Sequence, residues 1–436
     1  MQGTHGGIIM ADMILVINPG STSTKIAVYR TIVTATKVSE SSYGIPSQVP
    51  TDYDVKAVFT KNIMHGQDEL SEFPDIPSQA DYREALVEKT LAEEGIDLND
   101  IAVIMGRGGL VQKPQITTGG YLVNDDLYEA LKDPELTSPH ASLLGGLIGR
   151  KLADKINGSS VVADDAVMCR GGSAVSCGLG GRREGAVKAY IYDAVTSIEL
   201  GEVEEITGIK DIKRNGTGHV LNARAMAMKY ADDIGEKYED LNLIVIHTGG
   251  GSTVNAHKKG KIVDCLGDDE THMSLERSGG VPLLKFIKLC FSGKYTQDEI
   301  AKLVRGNGGM KALVGTSDGF EIENAMKAEM EEAARASAEG KEVTDGPVTK
   351  AVKAMAYGLA KSAGSLVPAL GALPDAIIVA GGFAYSKDFT AILEEYVKPL
   401  GKLVVMPGEK EMDALAGGGL RIMMGKEEAK IYKKPE

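Results

Sequence analysis

A strand that runs into a turn of glycine and hydroxyl residues and doubles straight back occurs twice in this chain, and no other feature constrains the fold as much. In the first copy Ile14 to Ile17 lead into Asn18-Pro19-Gly20, then Ser21, Thr22, Ser23, Thr24 and Lys25, and apolar β-formers resume at Ile26. In the second, Leu243 to Ile246 lead into His247-Thr248-Gly249-Gly250-Gly251, then Ser252-Thr253 and a return strand. One such tip reads as an ordinary hairpin turn, since turns favour these residues. Two of them, with Asn18 and His247 in equivalent places 229 residues apart, predict two similarly built halves. Hydroxyls and backbone N–H groups crowded into such turns, with Lys25 as a point charge, suit phosphate oxygens.

At 436 residues two domains are expected. A formal charge of −13 argues against nucleic acid or an anionic membrane as partner, so an anionic substrate has to be caught by local groups. No apolar run is long enough to span a bilayer, and residues 1–13 read as a short leader without a cationic region. Cys169, Cys177, Cys265 and Cys290 form no CxxC pair, so neither a disulfide framework nor a zinc site is implied, and a cytoplasmic location fits.

Along the chain, a helix is expected over 80–94, followed by a strand over 101–105 that delivers Arg107 at its end. Ser138-Pro139 predicts a helix start with His140 in its first turn. The Gly-rich stretch 159–188 reads as a loop or insertion, because neither of its glycine runs completes a dinucleotide fingerprint. Ala189 to Asp193 reads as a strand ending in a carboxylate, and His219 opens a further helix. The last third alternates helix and strand. The strand 376–380 runs into Gly381-Gly382, and a Gly-rich helix begins near Glu409. The alternation implies mixed sheets covered by helices.

These residues, taken together, resemble the acetokinase family of acetate and butyrate kinases, within the sugar kinase–Hsp70–actin superfamily. Asn18 to Lys25 is similar to the family's first signature. Met105-Gly106-Arg107-Gly108-Gly109, Ser138-Pro139-His140, Gly218-His219, Glu276-Arg277-Ser278-Gly279 and Ala380-Gly381-Gly382 follow in the family's order. The resemblance implies an α/β chain of two similar domains of the actin-like ATPase (ribonuclease H-like) type with a cleft between them. The first domain is expected over 1–192 and completed by 416–436, the second over 193–415.

It also implies reversible phosphoryl transfer from ATP to a short-chain carboxylate, with ATP and Mg2+ as cofactors, and a homodimer. By resemblance Arg107 and Arg277 clamp the carboxylate and the phosphoryl group, His219 stabilises the transition state, and His140 lies at the substrate. Asn18, Ser21, Ser23 and Lys25 face the terminal phosphate, Gly249, Gly250 and Gly251 cradle phosphate from the other half, and Gly381 and Gly382 lie against adenosine. Glu411 is one magnesium-side acid. The other is Asp164, Asp165 or Asp193, with Asp193 favoured because it ends the better strand. Gly108, Gly109 and Pro139 stand where acetate-selective members place bulky aliphatic residues. Smaller walls there would leave room for butyrate or isobutyrate, at about 0.8 kcal/mol per buried methylene. The competing readings are an acetate or propionate kinase, a sugar kinase of the same fold, and a nucleotide-binding module without kinase activity.

Overall fold

The computed structural model describes residues 13–40, 46–164 and 186–435. The leader, Asp165, Cys169, Cys177 and most of the Gly-rich stretch lie outside the described residues, as does the side chain of Asp164. The strands are β1 (Met13–Pro19), β2 (Ser23–Glu40), β3 (Pro46–Met64), β4 (Ile101–Arg107), β5 (Gly120–Leu122), β6 (Lys188–Tyr192), β7 (Asn242–Thr248), β8 (Ser252–Lys258), β9 (Lys261–Leu266), β10 (Ala376–Ala380), β11 (Leu403–Val405) and β12 (Lys430–Ile431). They form one sheet in each of two compact units. Unit 1 is Met1–Ala194 with Glu411–Glu436, and unit 2 is Val195–Lys410.

In unit 1 the sheet order is β12-β5-β6-β4-β1-β2-β3; in unit 2 it is β11-β10-β7-β8-β9. Each holds the same five-strand pattern. An antiparallel meander (β1-β2-β3, β7-β8-β9) is extended on its first strand by two parallel strands (β4 then β6, β10 then β11). The central strands are covered on both faces, which their composition demands: Ile14 to Ile17, Leu243 to Ile246 and Ala376 to Ala380 are all fully buried.

Residues 193–194 fall in unit 1, and so do residues 411–415, whereas the sequence assigns both to the second half. For 411–415 the reason is the Gly-rich helix Glu411–Met423, which lies on β1 and β4 so closely that a Cβ on Gly419 would sit 2.9 Å from Met105 and 3.1 Å from Ile14. Tyr29 on the neighbouring strand β2 donates to Asp413 at 2.7 Å and ties the helix to the same sheet. The helix Leu144–Asp164 approaches β4 as tightly. A Cβ on Gly106 would meet the Gly145 carbonyl at 2.4 Å. This helix also runs into what was expected to be an insertion from residue 159 onward.

The helix expected from Ser138-Pro139 starts later. His140 is extended (φ −154°, ψ 139°) and caps a short 3-10 turn, Ala141–Leu143; the α-helix begins at Leu144. The imidazole Nδ1 accepts the Ser142 N–H at 3.2 Å, serving as the cap itself instead of occupying the first turn. Among the described residues no helix is long and apolar enough to cross a membrane.

Two histidines are buried as neutral groups. His257 on β8 meets the Tyr238 hydroxyl at 2.8 Å; burial, then the nearby Arg224, pull its pKa down to about 3. His65 is held at about 4 by burial and by Arg83. Both values lie below the ordinary 6.5, so from pH 6.5 down to about 4 the unfolded chain binds protons that the fold refuses. Stability contributed above pH 6.5 is therefore lost on acidification. Thermal melts should show a steeper loss between pH 6.5 and 4 for the parent than for His257→Gln, in which one such group is gone. Parallel curves would refute the assignment.

Candidate active site

Three parallel strands of unit 1 end side by side. Ile17 pairs with Gly106, and Gly106 with Ile191, so Asn18, Arg107 and Asp193 leave the sheet at its carboxyl edge, the usual ligand side of a parallel sheet. Glu411, first residue of the last helix, meets Asn18 and Arg107. Arg107 Nη1 lies 2.7 Å from Glu411 Oε2, Asn18 Nδ2 donates to the same oxygen at 2.8 Å, and Asn18 Oδ1 accepts from Arg107 at 3.5 Å. Both charged side chains are under one-fifth exposed, so the pair is held in a partly dehydrated site.

Asp193 adopts φ 43°, a conformation uncommon outside glycine, and its Oδ1 accepts the Gly119 N–H at 2.7 Å. Magnesium needs few protein oxygens, taking the rest from phosphate and water. Among the described residues there is no group of three or more potential ligands, but Glu411 keeps Oε1 without a hydrogen bond and Asp193 stands at a neighbouring strand end. That donor set fits one or two carboxylates working with substrate oxygens.

The turn between β1 and β2 exposes Ser21 and Lys25 and half-exposes Ser23, while Thr24 is buried beneath it. Lys25 has no ion pair among the described residues. His140 is exposed, and with Nδ1 accepting from Ser142 its neutral ring carries the proton on Nε2.

Unit 2 repeats the plan at the ends of β7 and β10. Gly249, Gly250 and Gly251 form the turn, with the Gly249 N–H donating to Gly251 O at 2.9 Å. Gly381 (φ 92°) is packed against this turn: a Cβ there would lie 2.3 Å from Thr248 O. Gly382 has open space around its Cβ position. His219 caps the helix Val220–Ile234 by position only, without a side-chain bond to it. Its N–H and Nδ1 both meet Thr253 Oγ1, at 3.3 and 3.1 Å. Thr253 accepts the backbone N–H and can donate to Nδ1, which leaves the imidazole proton on Nε2.

His247, the counterpart of Asn18 in the second turn, stacks on His219 with ring centres 3.9 Å apart and planes 10° off parallel. Asn222 Nδ2 meets His247 Nδ1 at 3.1 Å, and Asn222 is oriented by accepting the Lys410 N–H at 3.0 Å. Arg277 lies between Asp268 (3.7 Å), which no sequence motif singled out, and its motif neighbour Glu276 (3.4 Å). Asp268 also accepts the Ser252 N–H at 3.0 Å, tying the arginine to the turn.

The glycines expected to widen the acid pocket have another use. A Cβ on Gly108 would overlap Ala194 at 2.6 Å, and one on Gly109 (φ 69°) would overlap Leu143 at 2.5 Å. The volume these positions give up is filled by neighbouring side chains and backbone, so close packing, and not room for substrate, accounts for them.

A family model described as the acetokinase family matches residues 189–384. The chain is 36% identical over 422 residues to butyrate kinase 1 of Clostridium acetobutylicum, covering 96% of this chain and 99% of that one. It is 35% identical over 426 residues to butyrate kinase 2 of the same organism, covering 97% and 100%. Among solved structures it resembles an acetate kinase from Porphyromonas gingivalis (TM-score 0.60, 16% identity, 95% of this chain and 100% of that one). A propionate kinase from Francisella tularensis gives a TM-score of 0.58 at 15% identity, covering 93% and 98%. At such identity the structural likeness speaks for the fold alone, two α/β units of the actin-like type.

Proposed function

The chain belongs to the acetokinase family, among its butyrate kinases, and from that premise we propose that it transfers the terminal phosphoryl group of ATP to butyrate or a similar short-chain acid. A lone pair of the carboxylate oxygen forms the new P–O bond as the bond to the ADP oxygen breaks, and ADP leaves with that electron pair. A carboxylate is ionised near pH 7, so no general base is needed. Catalysis has to come from placing two anions in line and from stabilising charge on the phosphoryl oxygens.

The observation that carries the reading is Arg107 beside Asn18 at the strand ends of unit 1. A guanidinium fork suits a carboxylate, and Asn18 opens the turn whose Ser21, Ser23 and Lys25 would take phosphate oxygens. From unit 2, Gly249, Gly250 and Gly251 would cradle phosphate, and Gly381 and Gly382 would lie under adenosine. His219 and Arg277 would donate to the transferring group, and His140, presenting Nε2–H, would contact the acid. Glu411 and Asp193 would hold magnesium, which would supply positive charge to offset the negative charge of the phosphate oxygens. Formation of butyryl hydroxamate from butyrate, ATP and hydroxylamine tests the reading. Phosphorylation of glycerol or hexoses with none of butyrate would reject it. A cytoplasmic location, where ATP is at hand, suits this chemistry.

We further propose a homodimer, supported by the helix Leu283–Cys290, none of whose residues is buried; Leu284 is 78% exposed and the adjoining Phe291 88%. Sedimentation should give twice the chain mass, and Leu284→Glu with Phe291→Glu should give the monomer. A monomeric parent would exclude the dimer.

A further inference from the structure

Arg83 sits on the apolar stripe of the helix Ala80–Glu93, with Ala80, Val87 and Leu91, and is 1% exposed. A buried guanidinium is normally met by a carboxylate. Here every acceptor is neutral. Nε and Nη2 donate to Gln79 Oε1 (3.1 and 2.8 Å), Nη1 to Gly20 O (2.8 Å), Ser23 O (3.1 Å) and Thr24 Oγ1 (3.3 Å), and Nη2 to Ser21 O (2.9 Å). His65 completes the clamp, its N–H donating to Thr22 O at 2.9 Å and its Nε2 meeting Thr24 Oγ1 at 2.8 Å.

The carbonyls of Gly20, Ser21 and Ser23 thus converge on one cation behind the turn. A trans peptide points its N–H opposite to its C=O, so the N–H groups of Ser21 and Thr22 are turned to the other face. The corresponding turn of unit 2 is held the same way by neutral groups. Leu275 N–H donates to Gly249 O (3.2 Å), and Glu276 N–H and the Ser274 hydroxyl donate to Gly250 O (3.0 and 2.6 Å). Both turns are pinned by their carbonyls from behind, but only the first is backed by an unneutralised positive charge.

We propose that Arg83 is a positioning residue for ATP: it fixes the Gly20–Thr24 turn with the Ser21 and Thr22 N–H groups outward and lends it the positive potential that holds a phosphate anion. The inference rests on the reading of this turn as a phosphate site, so its test has to separate the two.

Steady-state kinetics of Arg83→Gln, Arg83→Lys and Lys25→Met in the full chain do so. Arg83→Gln should raise KM for ATP about tenfold or more while KM for butyrate stays within about twofold, with a smaller rise for Arg83→Lys, which keeps the charge and loses the fork. Loss of folded protein alone would lower the apparent kcat for both substrates and leave both KM values in place. If Lys25→Met raises KM for ATP and a folded Arg83 variant does not, the role of Arg83 falls and the turn stands. If none of the three raises it, the turn is not the phosphate site. Failure of both Arg83 variants to fold would make Arg83 a folding determinant and overturn the inference.

Discussion

Arg107→Ala should lower kcat/KM for butyrate by about a thousandfold or more and leave a folded protein. The size follows from what the side chain is asked to do: an arginine that neutralises charge in phosphoryl transfer is worth about 10³–10⁵ in rate. Arg107 is also placed with care. It ends β4 between Asn18 and Asp193, its backbone gripped by a helix that two glycines let approach, and its guanidinium is aimed by Glu411. Removing it leaves the Glu411 carboxylate with Asn18 as its remaining donor, at a cost of about 1–3 kcal/mol. The fold should therefore survive, and circular dichroism with a thermal melt checks this beside the hydroxamate assay. Arg107→Lys retains charge without the fork and should recover only part of the loss. Turnover within tenfold of the parent in folded Arg107→Ala would remove Arg107 from the mechanism.

The second large effect is on the fold. Gly381→Ala should destabilise unit 2 by about 4 kcal/mol or more, because two costs fall on one residue. At φ 92° a side chain is strained wherever it points, and this one would point at Thr248, with O at 2.3 Å and backbone C and N both at 2.9 Å. A flexible side chain could step aside, but Thr248 is strand backbone. Relief means parting β10 from β7 where the Gly249 turn begins, so KM for ATP should rise in whatever protein folds. Gly382→Ala is the control, since its Cβ would enter open space. It should melt as the parent does, and any rise in its KM for ATP would then report contact with nucleotide. Urea denaturation of the pair decides: equal midpoints would show that the close approach at Gly381 carries no such cost.

Much of the architecture was legible in the chain because β-strand patterning is local. Four buried aliphatics before a glycine and hydroxyl turn specify a central strand and its return at either copy, and the matching sheet orders of the two units bear out the repeat. The arginine at the end of β4 and the carboxylate after β6 were equally plain, since a strand of known length fixes which residue leaves its edge. Arg83 carried a readable signal too: an arginine on the apolar stripe Ala80, Val87, Leu91 has to be buried and therefore bonded. Which carbonyls it bonds, 60 or so residues earlier, could not be read.

His140, Gly108 and Gly109 show where local reasoning gave the wrong answer. Ser-Pro is a sound helix-start signal, yet the imidazole found a backbone N–H two residues on and moved the start to Leu144. Gly108 and Gly109 stand where the resemblance places bulky aliphatic residues, which suggested room for a larger acid, and Ala194 and Leu143, distant in sequence, pack against both positions.

By itself, then, the sequence determined the two-fold strand plan, the turns, and which chemical groups stand at the strand ends, because backbone periodicity and turn stereochemistry act over a few residues. Only the tertiary structure decided how those groups are held. Arg107 with Glu411 and Asn18, His219 on His247, Arg277 between Asp268 and Glu276, and Arg83 behind the first turn are all pairings of residues on different elements. Hydrogen bonds and charges act through distance in space, and the fold alone sets those distances.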